Sequence, residues 1–177
     1  MFLNTIAHGY DIMLPEHFGR TTKIAGLSLT TFVLLAPLAF AASPHFIGTP
    51  SIVKNSDLSL TASFKAAGLG NSPTNIFLSS SGGSADLQCI NPGGNNPPPK
   101  HVDFGPLTGQ TVTVTPRNGQ VTATPTLPTP DLPGADEICP NPHWQVDILS
   151  LTYDNVVLHI QQNGVDILTF NFGDVDP

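Results

Sequence analysis

Apolar and polar residues alternate along much of the chain after residue 57. Leu58, Leu60, Ala62 and Phe64 alternate with Ser59, Thr61, Ser63 and Lys65, the two-residue period of a strand with one buried face. Gly68 and Gly70 end that strand. Two further short strands are expected over Asn75–Ser79 and Ala85–Ile90, with the Ser/Gly stretch at 79–84 as a flexible hairpin loop between them. From Asn91 to Pro106 the repeated prolines cannot donate a regular ladder, so an irregular loop is expected. Thr111–Thr115 and Gln120–Thr124 alternate around Asn118-Gly119, the pair suited to a type I′ turn, and predict a hairpin near a sheet edge. Pro125 closes it, having no N–H for a ladder. Pro128, Pro130 and Pro133 open a second irregular loop.

A second Asn-Gly pair, Asn163-Gly164, separates Val156–Ile160 from Val165–Phe172. A two-residue turn sets Ile160 opposite Ile167, Leu158 opposite Thr169, Val157 opposite Phe170 and His159 opposite Leu168. Both faces carry apolar residues. With Trp144–Tyr153 running ahead, this hairpin belongs in the middle of a sheet. No stretch after residue 43 keeps helical spacing for three turns. The chain therefore reads as all-β, an antiparallel β-sandwich of about seven strands, with immunoglobulin-like topology first and a small barrel second. Trp144 and the cysteines do not fall in antibody order.

Ahead of this region, residues 24–40 carry no charge, follow Arg20 and Lys23, and close on Ala39-Phe40-Ala41. That three-part plan is a secretory signal peptide over residues 1–41, cleaved after Ala41. Ser28, Thr30, Thr31 and Pro37 weaken the competing reading of a retained membrane anchor. Met1 to Asp11 holds no Lys or Arg where a leader should be basic, which moves the expected start to Met13. Residues 42–177 remain as a single secreted domain of ordinary size.

Composition narrows the class further. The chain is 40% hydrophobic and 11% charged, which suits a packed core and excludes a charge-rich disordered chain. Its net charge is −7, and after Ala41 the bases are Lys54, Lys65, Lys100 and Arg117, scattered rather than striped. Nucleic acid is thereby excluded as a partner, because no basic surface would displace its counterions. No membrane association is expected once the leader is removed.

Cys89 and Cys139 are the two cysteines of the chain. In an exported protein an isolated pair reads as a disulfide, and no Cys-x-x-Cys spacing points to redox catalysis. The bridge would bring the Asn/Pro/Gly loop beside the segment before Trp144, and that end is the expected place of function. His101, Asp103, His143 and Asp147 could converge there, a histidine beside a carboxylate being a possible base; the alternative is solvated loop residues. No histidine pair has zinc-helix spacing, no Asp/Asn loop has the EF-hand pattern, and no Gly-x-Ser-x-Gly elbow occurs. No metal or other cofactor is expected. Trp144 and Tyr153 read as core residues, with an exposed Trp144 ring in a loop groove as the alternative.

Four segments carry a resemblance: Ser63-Phe-Lys-Ala-Ala-Gly-Leu-Gly-Asn71, Cys89-Ile-Asn-Pro-Gly-Gly-Asn95, Pro116-Arg-Asn-Gly-Gln120 and Cys139-Pro-Asn-Pro-His-Trp144. In this order they resemble a loose group of small secreted, mainly bacterial proteins without assigned activity. The resemblance implies export and paired cysteines, and transfers no catalytic residue. Taken together, the expectation is a secreted, non-enzymatic sandwich acting as an extracellular interaction or structural protein, its partner a protein or glycan. The first alternative is a glycan- or peptide-binding module using the loops around Cys89 and Cys139. The second is a small hydrolase using His101 or His143.

Overall fold

The computed structural model describes residues 43–176. The leader, its cleavage point and the choice between Met1 and Met13 lie outside them. Twelve strands and one short helix follow in order: β1 (His45–Phe46), β2 (Ser51–Lys54), β3 (Leu60–Ala67), β4 (Thr74–Ser80), β5 (Gly82–Ile90), β6 (Lys100–Phe104), β7 (Leu107–Thr108), β8 (Val112–Val114), β9 (Val121–Ala123), β10 (Thr126–Leu127), α1 (Ala135–Ile138), β11 (Gln145–Gln162) and β12 (Val165–Val175).

Register shows that several short strands are pieces of longer runs. β4 pairs with β11 from Ile76 opposite Ile160 to Ser79 opposite Val157, and β5 continues the same count with Gly82 opposite Asp154 and Ala85 opposite Leu151. β6 and β7 likewise share one register along the far side, Gly83 opposite Phe104 and Ser79 opposite Thr108, and β8 follows beside β4. β12 completes this sheet on the other side of β11. In the second sheet β3 is central, with β1 and β2 along one side and β9 and β10 along the other. The result is a three-run antiparallel sheet packed on a four-run sheet, an all-β sandwich rather than a closed barrel. In a constant-type immunoglobulin domain the fourth strand joins the sheet of the first, second and fifth. Here the fourth run, β6 to β8, pairs beside the third.

The core lies between the sheets. Leu60, Ala62, Phe64 and Ala66 of β3 join Ile76, Leu78, Leu87, Leu151, Leu158 and Ile160 of the larger sheet in one buried cluster. Each large aliphatic side chain withdrawn from water there contributes about 1.5–3 kcal/mol. Tyr153 ties the layers by a second means, its hydroxyl donating to the Leu58 carbonyl at 2.8 Å. Burial and the nearby Asp57 charge push that phenol up to about 12, so it remains a donor at any ordinary pH.

The buried phase switches along the long ribbon. Thr74, Ile76, Leu78 and Ser80 point inward in β4, whereas Ala85, Leu87 and Cys89 do so in β5; β11 changes in step, from Leu151 and Tyr153 to Val156, Leu158 and Ile160. Asn155 takes a left-handed φ of 49° at the switch. The Ser80 hydroxyl lies 2.8 Å from the Asp154 carbonyl, and the Ser81 amide donates to the same oxygen at 3.0 Å. A kink in both strands at one level thus preserves their pairing while exchanging faces.

Four sequence expectations change. The Ser/Gly stretch is no hairpin loop, since only Ser81 separates β4 from β5 and both follow the same partner. Its glycines answer to crowding: a Cβ at Gly83 would lie 2.0 Å from the Thr152 carbonyl oxygen and 2.5 Å from the Phe104 ring. The irregular segment after Asn91 stops at residue 99, because Lys100–Phe104 contains no proline and pairs with β5. Around Asn118-Gly119 the turn forms, with φ of 51° and 70° and Arg117 paired to Gln120, but β8 and β9 then leave for different sheets. The last hairpin turns at Asn163-Gly164 with Gln162 opposite Val165, then a bulge sets Ile160 opposite Leu168 and His159 opposite Thr169, one residue beyond the expected pairs.

Candidate functional site

Cys89 closes the inner face of β5, and Cys139 follows α1; their sulfurs are bonded and their Cα atoms are 5.7 Å apart. The bridge closes a loop with a sequence separation of 50, worth about 4 kcal/mol in the chain-entropy treatment. Both adjoining segments are organised by an asparagine. Asn91 Oδ1 accepts from the Gly93 amide at 2.9 Å, its Nδ2 donates to the Asn95 carbonyl at 3.0 Å, and its amide donates to Asn96 Oδ1 at 2.8 Å. Asn141 Oδ1 accepts from the His143 amide at 2.9 Å, and its carbonyl accepts from Trp144 at 3.1 Å. Gln88 braces the first loop at Pro97, and the Lys100 ammonium reaches the Ile138 carbonyl at the end of α1. The Trp144 ring is partly buried against the core, while His143 is exposed.

The expected convergence of histidines is divided. His101 and Asp103 lie on the outer face of the larger sheet, with Asp86 opposite His101. His101 Nδ1 is 2.9 Å from Asp86 Oδ1 and its Nε2 is 3.4 Å from Asp103 Oδ1. The hydrogen bond to Asp86, with the charges of both carboxylates, raises the His101 pKa above its ordinary 6.5; that contact and the Ser150 hydroxyl, which donates to Asp86 at 2.9 Å, lower Asp86 below 3.8. The carboxylate stands between hydroxyl and imidazole, so His101 is placed to hold charge rather than to take a proton from Ser150. His143 precedes β11 by two residues, and the first residue of that strand, Gln145, pairs with Ile90, four residues along β5 from Asp86, roughly 13 Å at strand spacing. Asp147 stands between them, opposite Gln88.

A second histidine, His159, was not singled out by the sequence. On the outer face of β11 it is flanked diagonally by Ser79 of β4 and Asp166 of β12. The Ser79 hydroxyl is 2.8 Å from His159 Nε2, and His159 Nδ1 is 3.0 Å from Asp166 Oδ2. Phe77 lies directly opposite, its ring stacked on the imidazole with centroids 4.7 Å apart and planes 11° from parallel. Part of this was legible: the Asn163-Gly164 turn already places Asp166 diagonal to His159. Ser79 was expected at the end of a strand, but no local signal shows that this strand runs beside Val157 and His159.

Among the described residues, no three His, Cys, Asp or Glu side chains are grouped to hold a metal ion, and no helix is long and apolar enough to cross a membrane. No family model matches the chain, and neither a curated protein nor a solved structure does.

Proposed function

We propose that the chain is an exported, disulfide-linked sandwich that works by contact outside the cell, an interaction or structural protein whose contact surface is the loop pair tied by Cys89 and Cys139. The observation carrying this reading is the bracing of two irregular segments: a covalent bridge, two asparagine-centred turns and the Gln88 and Lys100 contacts. Loops ordered before they meet a partner lose less entropy on binding. The uncharged leader at residues 24–40 and the resemblance to small secreted proteins support export, which also supplies the oxidising surroundings the bridge needs. Immunoglobulin-like topology belongs to the same reading, supported by seven runs divided three against four. The partner is an extracellular protein or a glycan.

Trp144 favours a narrower second reading, a glycan- or peptide-binding module, because a half-buried ring beside an exposed histidine offers an apolar face with a polar neighbour. It is the one tryptophan of the chain, so its emission reports on this end. Titration with soluble oligosaccharides and short peptides should change that emission saturably, and His143→Ala should weaken the response. A ligand that binds with Trp144 emission unchanged and the loops still open to proteolysis would place the contact surface elsewhere.

A further inference from the structure

We propose that Ser79, His159 and Asp166 form a nucleophilic serine site on the outer face of the larger sheet, able to attack carboxylic esters of small acyl groups. In such a triad the imidazole must stand between hydroxyl and acid, with the acid on the nitrogen away from the hydroxyl. That order is present, with Ser79 on Nε2 at 2.8 Å and Asp166 on Nδ1 at 3.0 Å. It is the reverse of the His101 cluster, where the carboxylate is central. With Nδ1–H donated to Asp166, Nε2 presents its lone pair to the serine proton.

Three strands fix the geometry. Ser79 and Asp166 flank His159 from opposite neighbours, and the stacked Phe77 ring sets the plane of the imidazole. The bulge between Ile160 and Gln161 in the β12 pairing keeps Asp166 opposite Gln161 while the strand beyond it slips by one residue. The His159 side chain is 20% exposed and that of Asp166 is 38% exposed, so the pair is shielded yet open to a small ester.

The step balances as follows. Ser79 Oγ bonds to the acyl carbon as its proton passes to His159 Nε2; the carbon–oxygen bond to the leaving group then breaks, and the alcohol departs with that proton. Water, deprotonated by the same nitrogen, attacks the acyl carbon; the bond to Ser79 Oγ breaks as the proton returns from Nε2 to that oxygen, and the acid is released. Asp166 is a positioning residue, holding the tautomer. Both sides of the strand at Ser79 are paired, by Val157 and by Thr108, so the growing negative charge meets no open strand edge. Thr108, directly opposite Ser79, is the hydroxyl placed to answer it. One side-chain donor in place of a pair of backbone amides makes both steps slow; with a leaving group as good as nitrophenolate, acylation outruns hydrolysis and acyl-Ser79 accumulates.

This site lies on a different surface from the tied loops, so the two proposals stand or fall separately. The disulfide-intact protein is incubated with p-nitrophenyl acetate, nitrophenolate release is followed, and the digested protein is searched by mass spectrometry for acetyl. The expected result is a burst with acetyl on Ser79. Ser79→Ala and His159→Ala should each slow release by roughly 10²-fold or more. Asp166→Asn should slow it and Asp166→Glu should restore part of the loss, which a merely structural role would not give. Each variant is checked for the wild-type circular dichroism spectrum, and Ser79→Val, which also lacks the hydroxyl, serves if Ser79→Ala misfolds. Acetyl found on lysines alone, or equal burst rates in the wild type and a folded Ser79 or His159 variant, would overturn the proposal.

Discussion

At the scale of single residues, two positions show opposite kinds of constraint. Gly83 is fixed by space, because a methyl group there would enter the Thr152 carbonyl and the Phe104 ring, neither able to retreat from a paired sheet. Gly83→Ala should therefore destabilise the fold by about 3 kcal/mol, read as a lower denaturant midpoint. His101 is fixed by charge. Its raised pKa means that its ion pair with Asp86 supports the fold below the ordinary 6.5 and loses that support as pH rises through the raised value. Asp86, lowered, supports the fold above the ordinary 3.8 and loses it as pH falls through the lowered value. The pair is thus complete between these limits. Both groups are largely open to water, which keeps the stability effect small. The titration itself is the better observable: the His101 ring signals should have a midpoint above 6.5 by nuclear magnetic resonance, and Asp86→Asn should bring it down.

At the scale of elements, alternation and turn chemistry were readable wherever neighbours obeyed them. The buried phase of β3 was legible in Leu60, Ala62 and Phe64, and the central place of β11 in the two-faced apolar pattern of Val156–Ile160; its hairpin partner β12, expected in the middle too, pairs with β11 alone and forms the sheet edge. Asn163-Gly164 announced its turn, with φ of 53° and 77°. A Cβ at Gly164 would meet no atom within 4 Å, so the cost of Gly164→Ala is one of backbone conformation alone, about 1–2 kcal/mol in a thermal or denaturant melt. What escaped the sequence is what depends on partners far along the chain. Nothing local tells that Gly82 and Gly83 continue a strand instead of making a loop, since their reason is the approach of Phe104 and Thr152. Nor does local sequence show that β8 and β9 part after a well-formed turn. The bulge after Ile160 is of the same kind: it leaves Asp166 opposite Gln161 as expected and shifts the pairs beyond it, whereas the His159 cluster was concealed by the long-range pairing of Ser79 with Val157.

At the scale of the whole molecule, the four segments noted in the sequence meet in pairs. The Leu69 amide donates to the Gly119 carbonyl at 3.1 Å, joining Ser63–Asn71 to Pro116–Gln120. Cys89 and Cys139 join the other two through a covalent bond. These contacts hold loops where a core cannot, and the bridge does so only where thiols oxidise. Export and fold are then one proposal, because the same chain kept in a reducing compartment would lose the tie that braces its contact loops. Intact-mass spectrometry of the protein recovered from the medium of expressing cells, with thiol alkylation before and after reduction, tests this most directly. The account predicts a chain beginning at Ala42 that takes up no alkyl group until reduced and then two; a protein retained in the cells with its leader attached and both thiols free would contradict it.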